Sequence, residues 1–195
     1  DRDLSVLLLL DISESTRDKV VRSKTSVLDL EISASVLLAH AMSQLGDPFA
    51  IAAFCSNNRD DVRYYRIKDF NQLYNESVQS SLAGLESGLS TRIGAAIRHS
   101  GNNLIAQQTY RKLLLIITDG EPSDLDVDDT SYLIEDARKA VQSLTHQGID
   151  VFGVGLQTNG KSYLEKIFGR RNSIEINRVD LLPKKLPMLY LRMTA

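Results

Sequence analysis

Three short segments carry side chains that could together hold a hard cation: Asp11-Ile12-Ser13-Glu14-Ser15, Ser90-Thr91-Arg92-Ile93-Gly94 and Thr118-Asp119-Gly120. In the first, the Asp-x-Ser-x-Ser spacing lets a strand that ends at Asp11 and turns aim Asp11, Ser13 and Ser15 at one point. Carboxylate and hydroxyl oxygens of this kind suit Mg²⁺, which takes about six oxygens at about 2.0–2.1 Å and keeps several waters. Ca²⁺ and Mn²⁺ accept the same donors. The carboxylates of Asp11 and Asp119 and the hydroxyls of Ser13, Ser15 and Thr91 would leave such an ion under-neutralised, with coordination positions to spare. A carboxylate from a partner is the natural completion. Taken singly, each segment also has a plainer reading. Asp and Ser favour turns and helix N-caps, Thr91 stands where it could cap a helix, and Asp119-Gly120 is a common turn pair.

The elements that must position these residues follow from the apolar pattern. Continuous apolar runs at Leu4–Leu10, Phe49–Phe54, Lys112–Thr118 and Ile149–Gly155 have the length and character of strands buried on both faces. Between them, 27–45, 93–105 and 132–144 place apolar residues at helical spacing, and Gly46-Asp47-Pro48 stops the first of these helices. The segment 62–67 alternates and is polar on one face, which predicts an antiparallel edge strand paired with Phe49–Phe54. A short last strand is expected at Ser173–Ile176, and a terminal helix over Leu181–Leu191 entered through Pro183 or Pro187. Buried strands alternating with amphipathic helices predict an α/β fold: a doubly wound, mostly parallel, Rossmann-like sheet with helices on both faces. In such sheets ligands bind beyond the carboxyl ends of the strands, where strand order reverses. The candidate ligands lie on loops at that edge.

Composition narrows the function classes. The chain has 195 residues, 43% of them hydrophobic, enough for one domain with a real core. Its 23 Lys+Arg against 25 Asp+Glu, mixed throughout, leave a formal net charge of −2 and no footprint for nucleic acid. No apolar run approaches the roughly 20 residues needed to span a bilayer, so no membrane partner is expected. The lone Cys55 cannot form an internal disulfide and reads as a buried residue at a strand end, in keeping with a reducing cytoplasm. With only His40, His99 and His146 besides, a Cys/His zinc site lacks ligands at usable spacing. The chain begins at Asp1 and enters a strand almost at once, which suggests that residues 1–195 are a single domain from the carboxy-terminal part of a longer protein.

These segments resemble the von Willebrand factor type A domains and their metal-ion-dependent adhesion site (MIDAS). The resemblance covers nearly the whole chain and implies Asp11, Ser13, Ser15, Thr91 and Asp119 as the metal-holding residues. Ile93 stands where many members carry a second Thr, which is not a ligand position. Within the family the chain is similar to adaptor proteins that work with MoxR-type AAA+ ATPases, of the Rubisco-activating (CbbO) and nitric-oxide-reductase-activating (NorD) groups. The segments 9–18, 46–51, 61–68 and 186–194 carry that likeness, and Ser-Glu-Ser-Thr-Arg-Asp with Tyr-Tyr-Arg-Ile-Lys leans toward the CbbO group. The resemblance implies a non-enzymatic, cytoplasmic adaptor. A CbbQ-like ATPase hexamer would do the mechanical work. The bound Mg²⁺ would recognise a client carboxylate, with inhibited Rubisco the expected client and nitric oxide reductase the alternative. Glu14, Arg17 and Arg92 flank the expected ion and are candidates for choosing the client, if they are not simply exposed. The run Asp124, Asp126, Asp128 and Asp129 reads as a solvated loop with helix-start acids.

A Mg²⁺-dependent hydrolase or phosphatase is the rival of a different class. Haloacid-dehalogenase-like phosphatases need a second acid two residues after the first, where this chain has Ser13. Gly-x-Ser-x-Gly, P-loop and Gly-rich dinucleotide signatures are absent from the sequence. The nearest histidine candidate for a general base, His99, lies about two turns into the helix after Thr91. A purely structural ion is the third reading.

Overall fold

The computed structural model describes residues 3–21, 24–156 and 163–195. In chain order the elements are β1 (Leu4–Asp11), α1 (Val27–Leu45), β2 (Phe49–Ser56), β3 (Val62–Lys68), α2 (Glu76–Ala83), α3 (Ile93–Ile105), β4 (Arg111–Thr118), α4 (Thr130–His146), β5 (Ile149–Leu156), α5 (Tyr163–Phe168), β6 (Ser173–Ile176) and α6 (Leu182–Thr194). Short 3₁₀ turns lie at Glu14–Arg17, Arg170–Asn172 and Val179–Leu181.

The leucine-rich β1 is buried along its whole length because it has a parallel neighbour on each side and helices on both faces. The sheet runs β3-β2-β1-β4-β5-β6, parallel except for β3, which pairs antiparallel with β2 at the edge. The predicted doubly wound sheet and its antiparallel edge strand are therefore present. Side chains alternate along β1: Leu4, Val6, Leu8 and Leu10 meet α1, α2 and α6, while Leu7 and Leu9 meet α3, α4 and α5. Each buried leucine contributes about 1.5–3 kcal/mol. Strand order reverses between β1 and β4, so the loops leaving these two strands open onto the crevice above the sheet.

Local chemistry fixes the ends of α1. Ser26 accepts from the Asp29 backbone N–H at 3.1 Å, and the Asp29 carboxylate accepts from the Ser26 N–H at 3.1 Å, a complete capping box. Gly46 ends the helix at φ 74°, a left-handed conformation that glycine adopts without steric cost. Behind it, the Tyr190 hydroxyl of α6 donates to the Asp47 carboxylate, fastening the last helix to the turn before β2.

Three features depart from the sequence expectation. Helix α2 was not foreseen: it is eight residues long and offers only Val78 and Leu82 to the core, too few positions for a periodic signal. Helix α5, of six residues, escaped for the same reason. Helix α6 runs on to Thr194 with Pro183 in its first turn and Pro187 inside it, so neither proline marks a break. Tyr64 lies half-buried, its hydroxyl 2.9 Å from Ser100 Oγ and its ring 4.4 Å from that of His99, whereas Tyr65 is exposed, as an alternating edge strand requires. Cys55 is buried, and burial raises its thiol pKa. Among the described residues no helix is long and apolar enough to cross a membrane.

The packing of β5 against α5 is close enough to test. A Cβ at Gly153 would collide with the ring of Phe168. Gly153→Ala is expected to lower stability by about 1–3 kcal/mol, read as a shift in denaturant midpoint with an unchanged slope.

Candidate metal centre

Asp11 is the last residue of β1 and is fully buried. One carboxylate oxygen accepts the Ser13 backbone N–H at 2.9 Å, closing a tight turn that brings the chain back over the strand end. The other accepts the Thr118 hydroxyl at 2.8 Å from the end of the neighbouring β4. The Thr91 hydroxyl lies 3.4 and 3.3 Å from the two oxygens. Thr91 does not cap α3: the N-cap is Arg92 and it makes no side-chain cap bond, so the hydroxyl is free to serve Asp11. Ser13 Oγ is 3.3 Å from Ser15 Oγ, which donates to Asp119 Oδ1 at 2.7 Å. The five sequence-predicted residues thus form one connected cluster. Thr118, read from sequence only as part of the Thr-Asp-Gly segment, joins them as a donor to Asp11.

The cluster is graded from inside to outside. Asp11, Ser13 and Thr91 are buried, Asp119 is half-exposed and Ser15 is exposed, so the cluster opens to solvent on one side. Backbone pairs hold the loops around it. Ser56 and Ser90 exchange N–H···O bonds of 2.9 and 2.7 Å, and Thr91 and Ser123 exchange bonds of 2.8 and 3.1 Å. Glu14 N–H donates to Leu89 O at 2.9 Å and Gly88 N–H to Ile12 O at 3.0 Å. Leu89 itself sits at φ 65°, a left-handed conformation uncommon for a residue with a Cβ.

Arg92 and Asp124 are placed differently from the sequence expectation. The Arg92 side chain is only 10% exposed, with Nε 3.0 Å from Asp124 and Nη2 2.5 Å from Asp126. Asp124 is not a solvated loop acid: it is buried and also accepts the Ser56 hydroxyl at 2.8 Å. Asp126 accepts the Arg59 backbone N–H at 3.1 Å, so the network ties three loops together. Arg92 had looked exposed because one sequence does not show that Asp124 folds back beneath it. Asp129 does start a helix, accepting the Ser131 N–H at 2.9 Å as the N-cap of α4. Glu14 and Arg17 are exposed at the rim and pair with each other at 2.7 Å.

The electrostatics of the cluster are those of two acids without a counter-charge. Burial raises the Asp11 pKa against the lowering effect of the bonds from Ser13, Thr118 and Thr91. Burial, and then repulsion from Asp11, push Asp119 up to about 7. The guanidinium nearest in sequence, Arg92, is committed to Asp124 and Asp126. Hydroxyl and carboxylate oxygens converging on one point, and charged forms that lack compensation, fit a hard divalent cation. Asp11, Ser13, Ser15, Thr91 and Asp119 are the residues that could hold it. Two buried hydroxyl and carboxyl groups that sequence reasoning missed lie within electrostatic range of Asp11 and Asp119: Glu31 on α1 and Tyr163 on α5. Nothing in their local sequence sets them apart, since both sit among apolar helix positions.

Two outcomes follow from this geometry. Arg92→Ala leaves Asp124 buried and unpaired, so a stability loss of about 3–5 kcal/mol is expected; an unchanged melting temperature would mean that Arg92 serves the surface instead. Because the Asp119 pKa is raised on folding, its contribution to stability without a cation is complete below the unfolded value and is lost as pH rises through about 7. A cation needs the ionised form, so its affinity should fall by about tenfold per pH unit below that point, measured by calorimetric titration with Mn²⁺ between pH 8 and 5.5.

Comparison with known proteins agrees with this architecture. The chain is 38% identical over 193 residues to Protein NorD of Brucella melitensis, covering 99% of this chain and 30% of that protein. It is 39% identical over 168 residues to Protein NorD of Stutzerimonas stutzeri, covering 86% of this chain and 27% of that protein. The chain thus spans under a third of the length of these relatives. Among solved structures, the PilB minor pilin of Streptococcus sanguinis superposes with a TM-score of 0.76 at 15% identity, over 98% of this chain and 61% of the pilin. A mussel byssus matrix protein solved with a zinc-occupied MIDAS motif superposes at 0.66 and 16% identity, over 95% of this chain and 46% of that one. The sequence profile of the von Willebrand factor type A domain matches residues 5–181, and the chain belongs to that family.

Proposed function

We propose that this chain is a metal-dependent protein-recognition domain whose Asp11, Ser13, Ser15, Thr91 and Asp119 form a MIDAS for Mg²⁺, with Mn²⁺ or Ca²⁺ as substitutes. The observation that carries the reading is the convergence of two acids and three hydroxyls, without a cationic side chain, at a cluster open to solvent on one side. When bound, the ion supplies a Lewis-acidic positive charge to which a carboxylate of a partner protein can attach. The chain's own residues do the positioning. Asp11 is oriented from beneath by the Ser13 N–H and by the hydroxyls of Thr118 and Thr91, while Ser15 and Asp119 form the outer side that faces the partner. Glu14 and Arg17, exposed at the rim, are in place to contact the partner's surface. Arg92 acts inwardly, keeping the Thr91 loop on its support.

The relatives named NorD favour an adaptor of the NorD type: the domain would engage nitric oxide reductase while a MoxR-type AAA+ ATPase hexamer does the mechanical work. The Rubisco-activating reading, with its CbbQ-like motor, has no support among these relatives. The same cluster offers a hydrolase little: it holds no histidine, and His99 is engaged with the ring of Tyr64.

Retention of purified nitric oxide reductase by the immobilised protein is expected with Mg²⁺, lost with EDTA and restored on adding Mg²⁺ back; Rubisco should not be retained. Asp11→Ala should abolish retention without unfolding the protein. Normal retention by the folded Asp11→Ala variant would sink the metal-bridge reading. Metal-dependent turnover of generic phosphoesters or peptides would move the assignment to the enzyme class.

A further inference from the structure

Glu31 stands at a core position of α1, in line with the buried Leu28, Ala34, Ser35 and Leu38, and is fully buried. Neither of its carboxylate oxygens has a hydrogen-bond partner among the described residues. The Ser35 hydroxyl, one turn along, bonds the Glu31 backbone carbonyl at 2.7 Å and not the carboxylate. A carboxyl group buried in this way costs several kcal/mol relative to an apolar residue of similar size, unless something satisfies it. What surrounds it is more negative charge. Burial raises its pKa most, Asp119 next and Asp11 third, and no cationic side chain is among the groups that act on it. The orphaned acid therefore lies beside the two acids of the candidate metal centre, with two acceptor oxygens unused.

A divalent cation removes the anomaly. Each serine or threonine hydroxyl that turns a lone pair toward an ion must send its proton elsewhere, and ion-bound waters are strong donors that need acceptors too. Among the described residues no three His, Cys, Asp or Glu side chains cluster closely enough to hold one ion together, so Glu31 is not a third carboxylate ligand. We propose that Glu31 is a positioning acid of the metal centre, accepting protons from the hydroxyls or waters that bind the cation, so that α1 senses whether the site is filled. This rests on the metal reading given above.

The experiment is Mn²⁺ binding to the purified protein, by calorimetry and by water-proton relaxation, alongside melting temperatures with and without the metal. Glu31→Gln and Glu31→Met keep the side-chain volume and remove the charge. Both should melt at or above the wild-type temperature without metal. Both should bind Mn²⁺ about 10–100-fold more weakly and gain less stabilisation from it. If wild type binds Mn²⁺ and Asp11→Ala does not, while both Glu31 variants bind within twofold of wild type, the metal reading stands and the role of Glu31 is wrong. If both Glu31 variants fail to fold without metal, the role is also wrong, because Glu31 is then needed in the absence of the cation. If wild type itself binds no Mn²⁺, both readings fall.

Discussion

Two acids, Asp11 and Asp119, are held close together beyond the carboxyl ends of adjacent parallel strands, with no positive side chain to offset them, and much of the upper edge of the sheet is organised around that unfavourable placement. A protein has inexpensive ways to avoid it: an asparagine, an arginine turned inward, or a longer loop that spreads the charges apart. Here the backbone does the reverse. Asp11 ends a strand with no freedom to move, because β1 is hydrogen-bonded on both sides and packed on both faces. Thr118 bonds to Asp11 from the next strand and thereby sets where Asp119 emerges. The electrostatic cost is borne by the surrounding packing, as is common where a site is pre-organised for an ion.

The supporting structure separates the charges that must stay open from those that must be satisfied. Arg92, one residue after Thr91, would neutralise the acids if it turned inward toward Asp11. It is drawn instead to Asp124 and Asp126, on the far side of the Thr91 loop. The same pairing anchors that loop against Ser56 at the end of β2, so one guanidinium both removes itself from the centre and fixes the height of Thr91. The backbone exchanges between Ser56 and Ser90 and between Thr91 and Ser123 complete the clamp. The loops can then present hydroxyls to a common point without collapsing on one another when no ion is there to hold them.

Legibility in the sequence followed periodicity and length. The four long apolar strands, the alternating edge strand and the three long helices could be read directly, because their hydrophobic patterns are sustained over eight or more residues or alternate cleanly. Helices α2 and α5 could not, having two and four buried positions. Asp11, Ser13, Ser15, Thr91 and Asp119 were legible as a set because a parallel sheet sends every loop of this kind to one edge. The roles of Arg92 and Asp124 were not, since the ion pair joins residues 32 positions apart on two irregular loops. Glu31 was invisible for a different reason: on a helix with helical spacing, a lone acid reads as a solvent-facing residue.

The sequence by itself determined the class of fold and the chemistry of the centre, since hydrophobic period and oxygen-bearing residue types are local properties. It also determined that bulk charge would not select a partner, because 23 cationic and 25 acidic side chains nearly cancel. Only the tertiary structure decided which charged residues face outward and which are used within. Glu14 and Arg17 remain at the rim, Arg92 and Asp124 are buried against each other, and Glu31 turns inward toward acids far from it in sequence. The reason is physical: the worth of a charge depends on its burial and its partner, and both are settled by loops and helix faces that meet only when the sheet is assembled.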